Sequence, residues 1–161
     1  MPQQFKTHRQ QRYVAVIGGG SAPMAILDLA QIVGREIARR GGTLICGGLG
    51  GVMQAAAQGA HEAGGTVIGI LPGPDRLQGN PFLTYSIVTN LGHARNVLIA
   101  HSADGLIAVD GSYGSISEAA IALKLGKPVI GLATAWHLDG MHTAASPDEA
   151  VDCLWQELAS Q

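Results

Sequence analysis

Short apolar runs rich in β-branched residues alternate along the chain with longer stretches whose apolar positions recur at helical spacing. Residues 13–17 (YVAVI), 43–46 (TLIC), 66–70 (TVIGI), 85–88 (YSIV), 106–109 (LIAV) and 128–132 (PVIGL) contain few polar positions. That is the pattern of strands covered on both faces, and it predicts a parallel sheet. Between the first two runs, residues 24–40 place Ile26, Leu29, Ala30, Val33 and Ile37 on one face and end at Gly41-Gly42. This is an amphipathic crossover helix closed by C-terminal glycine. Further helices are predicted over 50–63, 94–101 and 115–125, the last of these closed by Gly126. A final helix starts at Ser146-Pro147-Asp148-Glu149, where a serine cap, a first-turn proline and two acids suit a helix start. The order βαβαβ followed by βαβαβα predicts an α/β, Rossmann-like, doubly wound parallel sheet with helices on both faces.

Composition changes the picture in three ways. A length of 161 residues suits one domain, expected over 13–161 as a ligand-binding unit behind a flexible polar tail, 1–12. The abundance of glycine, 23 residues, against only 4% aromatics favours helices packed tightly on the sheet through small side chains. A net charge of -2, from 10 basic and 12 acidic residues, argues against nucleic acid as the main partner, so any anion site must be local. Cys46 and Cys153, the two cysteines, form neither a disulfide framework nor a metal-ligand spacing and point to a reducing compartment. The N-terminus lacks an apolar signal segment, and no apolar stretch reaches the roughly 18 residues of a membrane span. A cytoplasmic protein that does not engage the membrane is expected.

In a doubly wound sheet, ligands bind outside the carboxyl ends of the strands, near the switch in strand order. Three glycine clusters follow strands directly: GGGS at 18–21, CGGLGGVM at 46–53 and DGSYGS at 110–115. One such turn can serve tight geometry alone, but three on one rim point to a cradle of backbone amides and helix N-termini for a phosphate. The candidate ligand groups are Gly19, Gly20, Ser21, Gly48, Gly50, Gly51, Arg95, Asn96, Asp110, Gly111, Ser112, Tyr113, Gly114, Ser115 and Glu118. The dinucleotide fingerprint is not met, because Gly18-Gly19-Gly20-Ser21-Ala22-Pro23 lacks its last glycine and the second strand ends in Cys46-Gly47 rather than an acid. NAD is therefore not expected, and no P-loop is present.

GGLGGVM at 47–53, GILPG at 69–73, GHARN at 92–96 and DGSYGSISE at 110–118 together resemble a Rossmann-like superfamily. It includes the molybdenum cofactor carrier proteins and the Lonely Guy phosphoribohydrolases, often labelled lysine decarboxylase-like. The hydrolases carry P-G-G-x-G-T-x-x-E and an upstream arginine, matched here by Glu118 and Arg95, which the resemblance makes catalytic if the chain is a hydrolase of nucleoside 5'-monophosphates. Asp110 replaces the motif's proline, Ser112 its second glycine, Ser115 its threonine, and Asn96 follows the arginine in place of lysine. These departures, the GGLGGVM turn and the short length are closer to the carriers, for which the resemblance implies molybdenum cofactor as a carried ligand. Lysine decarboxylation is a label only: Lys124 and Lys127 lie at a helix end, and no pyridoxal phosphate context is visible.

Several residues admit a structural as well as a functional role. Ser115-x-x-Glu118 reads as a capping box, or Glu118 stabilises an oxocarbenium-like sugar or positions water. A cation at a helix start is opposed by the helix dipole, so Arg95 either meets a ligand anion or pairs with Asp110 or Glu118. In the first case, removing it would leave ligand-free stability unchanged or raised. Asp110 before glycine suits an Asx turn or accepts from amino groups of a pterin or purine. His137 and His142 flank Asp139-Gly140, which reads as a hairpin turn rather than a metal site, and His93 is the histidine nearest the expected pocket. The 71–84 loop, with Arg76 and Asn80, is a lid or a plain connection. Apolar residues cover more than one face of helices 94–101 and 115–125, which predicts a homo-oligomer, dimer or tetramer. The reading is an oligomeric binding protein for a phosphorylated heterocycle, with a phosphoribohydrolase or a nucleotide-sensing module as alternatives.

Overall fold

The computed structural model describes residues 10–161; most of the predicted tail, residues 1–9, lies outside them. Strands β1 (Tyr13–Gly18), β2 (Thr43–Cys46), β3 (Val67–Leu71), β4 (Tyr85–Val88), β5 (Gly105–Val109), β6 (Val129–Leu132) and β7 (His142–Ala144) form one sheet in the order β4-β3-β2-β1-β5-β6-β7. Every pairing is parallel. The chain winds outward from β1 to β4, returns to β5 beside β1, and winds the other way. The switch in direction therefore falls between β1 and β5.

Helices α1 (Met24–Arg39), α2 (Val52–Glu62), α3 (Arg95–Ser102), α4 (Tyr113–Lys124) and α5 (Pro147–Ala159) cover the two faces. The strand residues sort by the two-residue period of the pleat. Val14, Val16, Leu44, Cys46, Ile107 and Val109 join one buried cluster with residues of α1, α2 and α5. Ala15, Ile17, Ile45, Leu106 and Ala108 join the other, with residues of α3 and α4. Burial on both faces explains why these strands read as continuous apolar runs.

Small residues set the spacing of the first layer. A Cβ on Gly34 of α1 would lie 1.9 Å from the Ala56 carbonyl oxygen of α2, and a Cβ on Gly59 would lie 1.9 Å from that of Gln31. Only glycine permits backbones to approach this closely, which packs the middle of α1 directly on the middle of α2. The last helix has the predicted start: Ser146 accepts from the Glu149 amide, with proline and two acids in the first turn.

The Asp139-Gly140 turn is not a hairpin. β7 runs parallel to β6, because the segment 133–141 crosses back to the start of the sheet before β7 begins. Trp136, in that crossover, donates its indole N–H to the Gly111 carbonyl at 3.1 Å. His142 lies in β7 and faces Glu157 of α5 at 3.4 Å. Among the described residues, no helix is long and apolar enough to cross a membrane.

Candidate functional site

The carboxyl ends of β1, β2 and β5 border a cavity of about 220 Å³, at the switch point where such sheets bind ligands. Eight of the predicted residues line it: Gly19, Gly20, Arg95, Asn96, Ser112, Gly114, Ser115 and Glu118. His93 also lines it, joined by Gly18, Gly47 and Met53, which were not among the candidates. Ser21, Gly48, Gly50, Gly51, Asp110, Gly111 and Tyr113 stand outside the lining.

Those outer residues shape the cavity from behind. Gly51 has φ +62, and a Cβ there would lie 2.2 Å from the Gly19 carbonyl oxygen; the Val52 amide donates to that same oxygen at 3.0 Å. Gly51 and Val52 therefore buttress the first turn, while Gly47 and Met53 at the two ends of the same cluster reach the cavity. Gly48 is buried, with its backbone carbonyl accepting from the Asn80 amide at 2.8 Å. The Asn80 side chain donates to the Leu49 carbonyl at 3.0 Å. Asn80 thus anchors the 71–84 loop to the second turn, and neither Asn80 nor Arg76 lines the cavity.

The third turn departs from the predicted capping box. α4 starts at Tyr113 with Ser112 as its N-cap, and Ser112 makes no side-chain capping bond. The backbone reverses sharply through Asp110 at φ 53 and Gly111 at φ 95, so the helix begins earlier than the box requires. Ser115 falls inside the first turn, where its hydroxyl packs against Gly111: a Cβ there would lie 2.4 Å from Ser115 Oγ. Ser115 and Glu118, one helical turn apart, turn inward together. Neither α1 nor α4 has a side-chain cap bond or an acid in its first turn, which leaves their positive ends available to an anion.

Arg95 opens α3, 9% exposed. Its Nη1 donates to Asn96 Oδ1, its Nη2 donates to the Gly47 carbonyl at 3.3 Å, and Nη1 stands 3.7 Å from Glu118 Oε1. Of the two pairings foreseen from sequence, the structure realises the one with Glu118. Nε is buried without a partner. Glu118 is itself 6% exposed, and among the described residues its carboxyl group makes no hydrogen bond. Burial pushes its pKa up to about 7, with Arg95 opposing. Burial lowers that of Arg95, with Glu118 opposing. Cys46, behind them at the end of β2, is pushed up to about 12 by burial.

This pairing reverses the stability sign expected for Arg95. Arg95→Ala strands a buried acid, and breaking such a pair costs about 3–5 kcal/mol. Because the folded pKa of Glu118 lies above the ordinary carboxyl value, its contribution to stability is full below the unfolded pKa and is lost as pH rises towards 7. Without Arg95 that loss continues above 7. The stability gap between wild type and Arg95→Ala is therefore expected to be smallest near pH 5 and to widen through pH 8, as read by urea denaturation across that range.

Comparison with known proteins agrees with this architecture. The model of the SLOG cluster4 family matches residues 11–157. An uncharacterized protein of Archaeoglobus fulgidus is 49% identical over 139 residues, covering 86% of this chain and 91% of that one. The structure of a molybdenum cofactor binding protein from Rippkaea orientalis superposes with a TM-score of 0.87 at 34% identity, over 92% of this chain and 98% of that one. The cytokinin riboside 5'-monophosphate phosphoribohydrolase LOG of Oryza sativa subsp. japonica is 34% identical over 95 residues, 56% of this chain. The matched part is 39% of that enzyme's length. With its model matched along almost the whole chain, the protein belongs to the SLOG cluster4 family.

Proposed function

We propose that this protein binds and carries a phosphorylated heterocycle, a molybdopterin-type cofactor first, without transforming it, and that it works in the cytoplasm as a homo-oligomer. The observation that carries the reading is the cavity at the switch point, where the Gly19-Gly20 turn and the uncapped start of α4 meet a buried guanidinium. Helix starts and arginine are the groups that hold phosphate. Gly19, Gly20, Ser112, Gly114 and Ser115 are the proposed phosphate contacts, with Arg95 and Asn96 behind them. The likeness to the Rippkaea orientalis protein over nearly its full length supports this choice of ligand. Neither NAD nor pyridoxal phosphate has a place in the reading.

A second reading, hydrolysis of the N-glycosidic bond of a nucleoside 5'-monophosphate, is favoured by the closeness of Arg95 to Glu118 and by the Oryza sativa relative. Under it, Glu118 would face the sugar. The changed turn, with Asp110 and Ser112 in place of the motif's proline and second glycine, weighs against it.

The oligomer rests on apolar surface left uncovered on one side. β4 residues Tyr85 and Ile87 pair in register with Ile68 and Ile70, so they extend the sheet face under α3 and α4, yet they are 63% and 50% exposed. Val97 and Leu98 on the outer face of α3 are 42% and 38% exposed. A second copy of the chain is the proposed cover.

Three outcomes are expected. In thermal melts, molybdopterin-type ligands stabilise the fold more than AMP, and AMP more than adenosine; a ligand at a hundred times its Kd adds about 2.7 kcal/mol. Equal melting points with AMP and adenosine would remove the phosphate cradle. Incubation with AMP or isopentenyladenosine monophosphate releases no free base above background, as followed by chromatography, whereas release that vanishes in Glu118→Gln would establish the hydrolase instead. Light scattering gives a mass of at least two chains for the wild type and a smaller mass for Leu98→Glu.

A further inference from the structure

The cavity combines two features that oppose each other electrostatically. Its rim offers the Gly19-Gly20 turn and the positive end of α4 together with Arg95, the chemistry of an anion site. Its floor carries the Glu118 carboxyl group, buried, facing the same space and without a hydrogen bond among the described residues. Glu118 Oε1 stands 3.7 Å from Arg95 Nη1, close enough to neutralise the guanidinium and too far for a hydrogen bond. An ionised Glu118 would both cancel the cation and repel an incoming anion.

We propose that Glu118 meets the ligand as a neutral carboxylic acid, donating its O–H to an oxyanion of the ligand, so that loading the cavity takes up a proton from solvent. The proposal rests on the anion-site reading above and adds to it the protonation state and role of one residue. The balance is simple: a proton leaves the buffer and forms an O–H bond on the carboxyl oxygen turned away from Arg95, while the ligand keeps its own charge. Arg95 is then no longer neutralised by Glu118, and its positive charge faces the anion.

The surroundings favour this form. Two like charges in one water-poor site do not both stay ionised. Burial already holds Glu118 up to about 7, with Arg95 the opposing influence, and an anion alongside raises it further. The groups facing Glu118 from the elements around it are Arg95 of α3 and the Cys46 thiol at the end of β2, and burial keeps that thiol neutral. His93, in the turn before α3, is the other titratable group on the cavity lining besides Arg95. A carboxylic acid kept neutral at ordinary pH can donate to an oxyanion, which a carboxylate cannot.

The test is titration calorimetry with AMP as the probe, at pH 8, in buffers of low and high ionisation enthalpy, with Kd also followed from pH 6 to 9. The wild type is expected to take up about one proton per AMP bound, and its affinity to fall about tenfold per pH unit above 7. In Glu118→Gln, the uptake should vanish and the pH profile flatten. Infrared difference spectra of the wild type, which need no variant, should gain a protonated carboxyl C=O band when AMP binds at pH 8. Binding without proton uptake, or uptake that persists in Glu118→Gln and so belongs to His93 or the ligand, overturns the proposal and leaves the anion site standing. Absence of AMP binding at every pH removes the anion site and the proposal together.

Discussion

A buried guanidinium ties together three parts of the site: the end of β2, the start of α3 and the first turns of α4. Arg95 reaches from the start of α3 to the Gly47 carbonyl at the end of β2 and faces Glu118 one turn into α4. Its position is unfavourable by itself, since a cation at a helix start opposes the dipole and burial removes its hydration. It is held there because the Gly47 carbonyl, Asn96 and Glu118 together offset that cost. The shape of the cavity follows from this contact: β2 and α4 are held at a fixed distance, and Glu118 is kept on the floor rather than swinging to solvent. Among the described residues the buried Nε has no hydrogen-bond partner, as expected where a polar cluster is built for more than the fold.

The glycines that read alike in the sequence do different work in three dimensions. Gly34 and Gly59 let α1 and α2 touch backbone to backbone. Gly51 lets the second turn reach the Gly19 carbonyl, so the first turn is held from behind. Gly111 makes room for Ser115 and takes the Trp136 N–H on its carbonyl, tying the third turn to the crossover after β6. Close packing of small residues is thus what converts a common sheet topology into a rim where the first glycine turn and the start of α4 face one space.

Much of this was legible in the sequence, and the parts that were not share a physical reason. The strands and helices are strongly periodic, so the alternation of Val14, Val16 and Ala15, Ile17 between two faces could be read directly. β7 could not: at three residues it is too short for a pattern, and the Asp-Gly turn before it carries the local signal of a hairpin whatever strand follows. The capping box failed because its signal, Ser115-x-x-Glu118, says nothing of the reversal at Asp110 and Gly111 that starts the helix early. Eight candidates came together because each directly follows a strand or opens a helix at the switch point. Gly48, Gly50 and Gly51 did not line the cavity because a glycine's freedom serves backbone packing as readily as ligand approach. Gly47 and Met53 were missed for the opposite reason, since nothing local marks a residue whose part in the site comes from the fold bringing it beside Arg95.

The geometry of the third turn bears on whether such a site carries its ligand or cleaves it. Asp110 occupies the left-handed region at φ 53, its amide donating to the Leu132 carbonyl of β6 at 3.0 Å. The hydrolase motif that the sequence resembles has proline there, and proline is locked near −65° and has no amide hydrogen to donate. A proline at this position could therefore neither adopt the φ of Asp110 nor make its bond to β6. In this chain the aspartate's conformation, the Trp136 contact to Gly111 and the early start of α4 form one mutually consistent arrangement. That arrangement sets Glu118 beside Arg95, where burial favours its neutral form and the guanidinium opposes it. A neutral acid there can hold an oxyanion, whereas stabilising an oxocarbenium-like sugar calls for the negative charge, so the two chemistries ask for opposite protonation states of Glu118.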